Sequence, residues 1–264
     1  MLEVKNISKT FNPGTINEKR AIQNLSITLG DGEFVTVIGG NGAGKSTLLN
    51  AVAGVWPVDS GAIIIDGTDV TGMPEYKRAK FIGRVFQDPM MGTAPNMLLE
   101  ENLALAYRRG QKRGLRWGIS QKERELYREL LAQLGLGLED RLTAKVGLLS
   151  GGQRQAVTLL MAAMQTPKVL LLDEHTAALD PGTAKKVLEL SDKIVRENKL
   201  TTLMITHNMT DAINLGSRII MMDQGSIVLD ISGEDKKKLT KQDLLDRFAA
   251  KTGTQEDTDE VLLS

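Results

Sequence analysis

Short apolar runs along the chain alternate with longer stretches of helical period. Continuous or alternating β-branched runs predict strands at 2–7, 25–29, 34–38, 62–65, 82–86, 169–172, 202–205 and 219–222. Between them, apolar residues recur at helical spacing over 45–53, 98–107, 122–134, 151–164, 183–196 and 209–215. Such alternation predicts a mainly parallel sheet covered by helices. The middle departs from it: roughly residues 92–165 carry helical patterns and no convincing strand, which predicts a helical subdomain inserted into the α/β core. No internal repeat is visible, and the segment 251–264 reads as a polar, acidic, frayed tail.

With 264 residues, the chain is long enough for one large α/β domain, about 1–250, and can bury a sizeable core. Its 33 basic and 33 acidic residues balance, so no global field argues for nucleic acid as a partner. There is no cysteine, which removes disulfides and thiolate metal sites and fits a reducing compartment; His175 and His207 are the two histidines. No run approaches the roughly 18 apolar residues of a membrane helix, and the first residues lack a signal-peptide core. The expectation is a soluble, cytoplasmic polypeptide.

Chemistry enters after the strand "FVTVI", where "GGNGAGKSTLL" fits GxxxxGK[ST] with Gly39, Gly44, Lys45 and Ser46. In such a loop, backbone N–H groups curl around phosphate oxygens and the next helix adds its positive end. Lys45 then reaches the β- and γ-phosphates and Ser46 ligates magnesium. A glycine-rich turn is the plainer reading, but strand, loop and helix fall in the order the phosphate site requires. A triphosphatase also needs carboxylates, and "KVLLLDEHTAALD" places Asp173 to hold magnesium and Glu174 to orient or deprotonate water. Alone, acids after a strand are as readily helix starts.

A second phosphate-ready helix start lies in "LLSGGQRQAVTL". Ser150 and Gln153 form a capping box, each satisfying a backbone N–H of the other. Gly151 and Gly152, poor helix formers, leave bare N–H groups where an anion can approach.

Taken in order, the phosphate loop, Gln87 in "RVFQDP", "LSGGQ", "LLLDE", "ALD" and His207 in "MITHNM" resemble a nucleotide-binding subunit of the ATP-binding cassette family, over roughly residues 2–230. The resemblance implies a P-loop core with a mainly parallel sheet, an antiparallel β subdomain near the N-terminus and an inserted helical subdomain. It implies ATP and magnesium as ligands. It also implies a head-to-tail pair, in which Ser150, Gly151, Gly152 and Gln153 face the ATP held by the partner's Gly39, Asn41, Gly42, Ala43, Gly44, Lys45, Ser46 and Thr47. By the same resemblance Glu174, Lys45, Gln87 and His207 are catalytic: Gln87 contacts magnesium and the attacking water, and His207 touches the γ-phosphate. Ser46, Gln87 and Asp173 are the metal ligands. Asp180 communicates across the pair, or simply caps the helix at Pro181. Phe11 stands where the family stacks an aromatic, more often tyrosine, on adenine, a core or surface aromatic being the alternative.

Two positions depart from the family: His175 stands where proline is usual, and Ala156 where many relatives carry arginine. Neither removes a mechanistic group. The work implied is ATP hydrolysis that energises a membrane permease at the cytoplasmic face, and the segments "MMGTAPNMLLEENLALAYRRG" and "DEHTAALDP" resemble ATPases of bacterial amino-acid uptake systems that use a solute-binding protein. A soluble assembly ATPase of the iron–sulfur type and an exporter ATPase are the alternatives. The basic run Arg108, Arg109, Lys112, Arg113 and Arg116, ending at Trp117, is either a solvated loop or a contact to lipid headgroups or permease.

Overall fold

The computed structural model describes residues 1–111 and 118–252. In chain order the strands are β1 (Leu2–Phe11), β2 (Lys19–Leu29), β3 (Phe34–Ile38), β4 (Ser60–Ile65), β5 (Thr68–Asp69), β6 (Ile82–Val85), β7 (Val169–Asp173), β8 (Thr202–Ile205), β9 (Arg218–Asp223) and β10 (Ser226–Ser232). The helices are α1 (Lys45–Ala53), α2 (Glu75–Arg78), α3 (Leu99–Tyr107), α4 (Gln121–Ala132), α5 (Gly151–Ala163), α6 (Pro181–Glu197), α7 (Met209–Asn214), α8 (Gly233–Lys237) and α9 (Lys241–Thr252), with a 3-10 turn at Val146–Leu148.

Two sheets form. One, antiparallel, has the order β2-β1-β4-β5; the other has the order β10-β9-β3-β8-β7-β6 and is parallel except for β10 at its edge. The parallel strands are apolar throughout, as burial on both faces demands: "FVTVI" of β3 is buried at every position. The largest core cluster lies between the sheets, where Leu48, Leu49 and Val52 of α1 meet Ile22, Ile27 and Ile63 on one side and Val37, Leu171 and Leu203 on the other. A separate cluster, including Leu99, Leu103, Tyr127, Leu131 and Val157, holds α3, α4 and α5 together. These helices lie between β6 and β7 in the chain.

Several elements lie outside the pattern read from the sequence. β2 begins at Lys19, because in its first half only Ala21 and Ile22 are buried and the apolar signal there is thin. β10 is a half-exposed edge strand, joined to β9 by a two-residue turn in which Gln224 (φ 44°) and Gly225 (φ 79°) both take positive φ. That is the turn hand that matches strand twist, carried here by Gln-Gly rather than the commoner Asn-Gly. α9 opens on a reciprocal pair, Asp243 N–H to Thr240 Oγ1 at 3.1 Å and Thr240 N–H to Asp243 Oδ2 at 3.0 Å, and buries Leu244 and Phe248.

Arg108 and Arg109 are committed within the helical segment. Arg108 pairs with Glu123 at 2.8 Å and donates to Gly118 O, and Arg109 donates to Ala162 O at 3.0 Å. Lys112, Arg113, Arg116 and Trp117 lie outside the described residues, as does the tail beyond Thr252.

Candidate active site

Because β3, β6, β7 and β8 run parallel, their carboxyl ends open on one sheet edge. Val37 is in register with Ile205, Asp173 with Ile205, and Val85 with Leu172. Glycine-rich loop, acidic pair, His207 and Gln87 therefore emerge side by side, the position where open α/β sheets bind ligands.

The loop after β3 needs glycine at both ends. Gly39 has φ 147° and a Cβ there would lie 2.2 Å from Met222 O; Gly44 has φ 100° and a Cβ would lie 2.5 Å from Ala21 O. No side chain caps α1, whose N-cap is Gly44, so its first-turn N–H groups point into the loop. The buried Lys45 ammonium donates to Gly39 O at 2.6 Å and Gly40 O at 3.0 Å. Burial pulls its pKa down and the Glu174 charge partly restores it. A cleft of 320 Å³ is lined by Phe11, Trp56, Lys19, Ala21, residues 41–47 and Glu174. Phe11 and Trp56 meet edge-to-face, with centroids 5.0 Å apart at 81°. A larger depression of 530 Å³ opens by Phe34, Asp192, Lys199 and Gly216, at the opposite end of β3 and away from this chemistry.

Glu174 is held in the left-handed region, φ 43°, with its N–H on Ile205 O at 3.0 Å. A non-glycine residue there costs on the order of 1 kcal/mol or more and persists only where surroundings enforce it. Its Oε2 lies 3.4 Å from His207 Nδ1. Asp173 sits beside it with Oδ2 at 3.2 Å from Arg84 Nη2; burial pushes the Asp173 carboxyl pKa up, and Arg84 opposes that shift.

Ser150 caps α5 as a capping box: Gln153 N–H reaches Ser150 Oγ at 3.3 Å and Ser150 N–H reaches Gln153 Oε1 at 3.2 Å. Arg154 donates to the carbonyls of Val146, Gly147 and Leu149, fixing the turn that presents Ser150. Gly152 has a packing reason beyond its bare N–H, since a Cβ there would lie 2.1 Å from Thr183 Cγ2 of α6. Ser150, Gly151, Gly152 and Gln153 do not line the 320 Å³ cleft of their own chain. Gln87 is exposed and outside it too, and Asp180 is the exposed N-cap of α6, accepting from Thr183 N–H at 3.1 Å.

Sequence reasoning passed over Lys19, Trp56, Arg84 and Arg154. Trp56 carried a signal, an aromatic just past the phosphate-loop helix in a chain with 4% aromatics. Lys19 and Arg84 carried none, because their places follow from strand pairing across the sheets. Among the described residues no group of three or more His, Cys, Asp or Glu could cage a metal. Ser46 hydroxyl, Asp173 carboxylate and Gln87 amide are nevertheless hard oxygen donors, the set magnesium takes when nucleotide phosphates complete its shell.

Residues 22–177 match the family model described as ABC transporter. The chain belongs to the ABC transporter family. Within it, the chain is 49% identical over 249 residues to the tyrosine transport ATP-binding protein of Clostridioides difficile, covering 94% of this chain and 98% of that one. It is 35% identical to the spermidine/putrescine import ATP-binding protein PotA of Haemophilus influenzae, of whose length it spans 57%. It is 34% identical to the phosphonates import ATP-binding protein PhnC 2 of Oceanobacillus iheyensis. Among solved structures, the dimeric post-hydrolysis state of the ATP-binding cassette MJ0796 bound to ADP and Pi matches with a TM-score of 0.75 at 30% identity, covering 88% of this chain and 98% of that chain. This ABC chain is an ATP-hydrolysing cassette of importer type. Among its described residues no helix is long and apolar enough to cross a membrane.

Proposed function

We propose that the chain is the ATPase subunit of a bacterial uptake system for an aromatic amino acid. It works as a head-to-tail pair docked on a membrane permease at the cytoplasmic face, with a solute-binding protein on the far side. The observation that carries this reading is the 49% identity to a tyrosine transport ATP-binding protein along 94% of the chain. The substrate is read by permease and binding protein, so the chemistry of this chain is that of ATP.

In this reading adenine stacks on Phe11, and the phosphates lie on the N–H groups of residues 39–47 at the start of α1. Lys45 exchanges its carbonyl partners for phosphate oxygens. Glu174 takes the proton of the attacking water, and His207, 3.4 Å from it, fixes both the carboxylate and the γ-phosphate. Ser46, Asp173 and Gln87 would hold magnesium, which when bound draws charge off the phosphate oxygens. Ser150 and the N–H groups of Gly151 and Gly152 close over the nucleotide of the partner subunit. The nucleotide favours the closed pair over the open one, and that difference does the work on the permease.

Glu174→Gln tests the assignment. The variant binds ATP with parental affinity, elutes as a dimer with ATP and magnesium, and loses at least about a hundredfold in turnover. Turnover at the parental rate removes Glu174 from the mechanism. The same trapped variant, purified from membranes of its native host, brings down a polytopic permease, and that permease reconstituted with the parental chain supports uptake of labelled tyrosine. Recovery of soluble partners alone moves the assignment to a cytoplasmic assembly ATPase.

A further inference from the structure

Arg84 lies on β6, the strand next to β7, in register with Leu171. From there it reaches the end of β7 and, among the described residues, makes a single hydrogen bond, Nη2 to Asp173 Oδ2 at 3.2 Å. Both side chains are largely withdrawn from solvent, 13% and 17% exposed. The guanidinium also stands 4.5 Å from the centre of the Phe86 ring, and its Nε is buried with no partner among the described residues. A fully engaged arginine–carboxylate pair is usually a two-pronged fork. Here only one prong is used, and the remaining interaction is with an aromatic face.

Asp173 is also the carboxylate assigned to the divalent cation that accompanies ATP. A guanidinium cannot lose its charge at any working pH. Two cations at one carboxylate, in a site of low effective dielectric, repel each other strongly. We propose that Arg84 is a built-in competitor for Asp173, a positioning residue that weakens divalent-cation binding until the cation arrives with the phosphates. This rests on the reading of Asp173 as a metal ligand. Phe86 supplies the second seat: moving off the carboxylate, the guanidinium keeps its cation–π contact, so release costs less than return to water. The device makes the site selective for the metal–nucleotide complex over the free ion.

The test is a Mn²⁺ titration of the full chain, following the EPR signal of free Mn²⁺ at pH 8, with and without a non-hydrolysable ATP analogue. Arg84→Met tightens Mn²⁺ binding by about threefold or more, with the larger gain in the absence of nucleotide, and Arg84→Lys, which keeps the charge, stays near the parent. Asp173→Ala weakens Mn²⁺ binding with the analogue, and adding Arg84→Met to Asp173→Ala then changes nothing further. Unchanged or weaker Mn²⁺ binding in Arg84→Met, with analogue affinity intact, overturns the proposal while leaving Asp173 as a ligand. Unchanged binding in Asp173→Ala overturns the site reading and the proposal with it. Circular dichroism checks the fold, and Arg84→Gln serves if the methionine variant does not fold.

Discussion

His175 follows Glu174 and is 1% exposed. Its Nε2 lies 2.8 Å from Ser191 Oγ on α6, and that hydroxyl donates its proton to Val187 O at 2.8 Å. Ser191 therefore accepts from the ring, which places the imidazole proton on Nε2 and leaves Nδ1 bare. Nδ1 is buried with no partner among the described residues, so a second proton would have nothing to bond. Burial accordingly pushes the pKa from 6.5 down to about 4. The sign follows from linkage. Above the unfolded value neither state holds the extra proton; between 6.5 and about 4 the unfolded chain takes it up and the native chain refuses it, so stability falls as pH falls. Integrated down to pH 5, the loss from this one residue is about 2 kcal/mol. His175→Gln keeps an N–H for Ser191 and does not titrate. Urea unfolding followed by circular dichroism at pH 7.5 and pH 5 then shows the variant losing about 2 kcal/mol less than the parent over that interval. Equal losses in the two proteins would refute the neutral, proton-refusing His175.

Other expectations follow from single contacts. Trp56→Ala removes the ring packed at right angles to Phe11 and weakens ATP binding by about two- to tenfold while leaving tripolyphosphate binding unchanged, as measured by titration calorimetry; equal weakening of both ligands places Trp56 outside the base site. Arg78 is 2% exposed and donates to Ala51 O and Val52 O at the end of α1, to Met73 O and to Thr71 O. Arg78→Met strands those carbonyls and costs about 3 kcal/mol or more in denaturant unfolding, and a loss under about 1 kcal/mol contradicts that role.

What the sequence made legible is what local chemistry enforces. The strand–loop–helix order at residues 34–53 and the capping box at Ser150 were readable because each is written within a few consecutive residues. Thin or edge elements were not: β10 buries only Ile231 fully, so its alternation is weak, and the turn before it uses Gln224 where asparagine is the usual signal. The basic run looked like a surface charge, yet Arg108 is engaged by Glu123, fifteen residues further on, a pairing that no local pattern encodes. Arg84 was invisible for the same reason, since its partner Asp173 lies on the neighbouring strand 89 residues away. His175 could be noticed as a departure but not explained, because Ser191, on a helix that had yet to be placed, decides its protonation.

The two glycines of the signature helix have different causes. A Cβ at Gly151 would meet only Leu179 Cδ2, at an ordinary 3.4 Å, so packing tolerates a methyl there, and in the proposed pair its bare N–H faces the partner's nucleotide. At Gly152 a Cβ would meet the Thr183 Cγ2 methyl at 2.1 Å, so any larger residue there has to turn the Thr183 side chain. Thr183 belongs to the first turn of α6, capped by Asp180, and His175 ties the residue after Glu174 to the same helix through Ser191. The start of α5 and the acidic end of β7 are thus both fastened to α6. In the proposed pair these two elements serve different nucleotides, one held by each chain. In that pair, the packing of both elements on one helix is the physical connection through which hydrolysis at one nucleotide would be felt at the other.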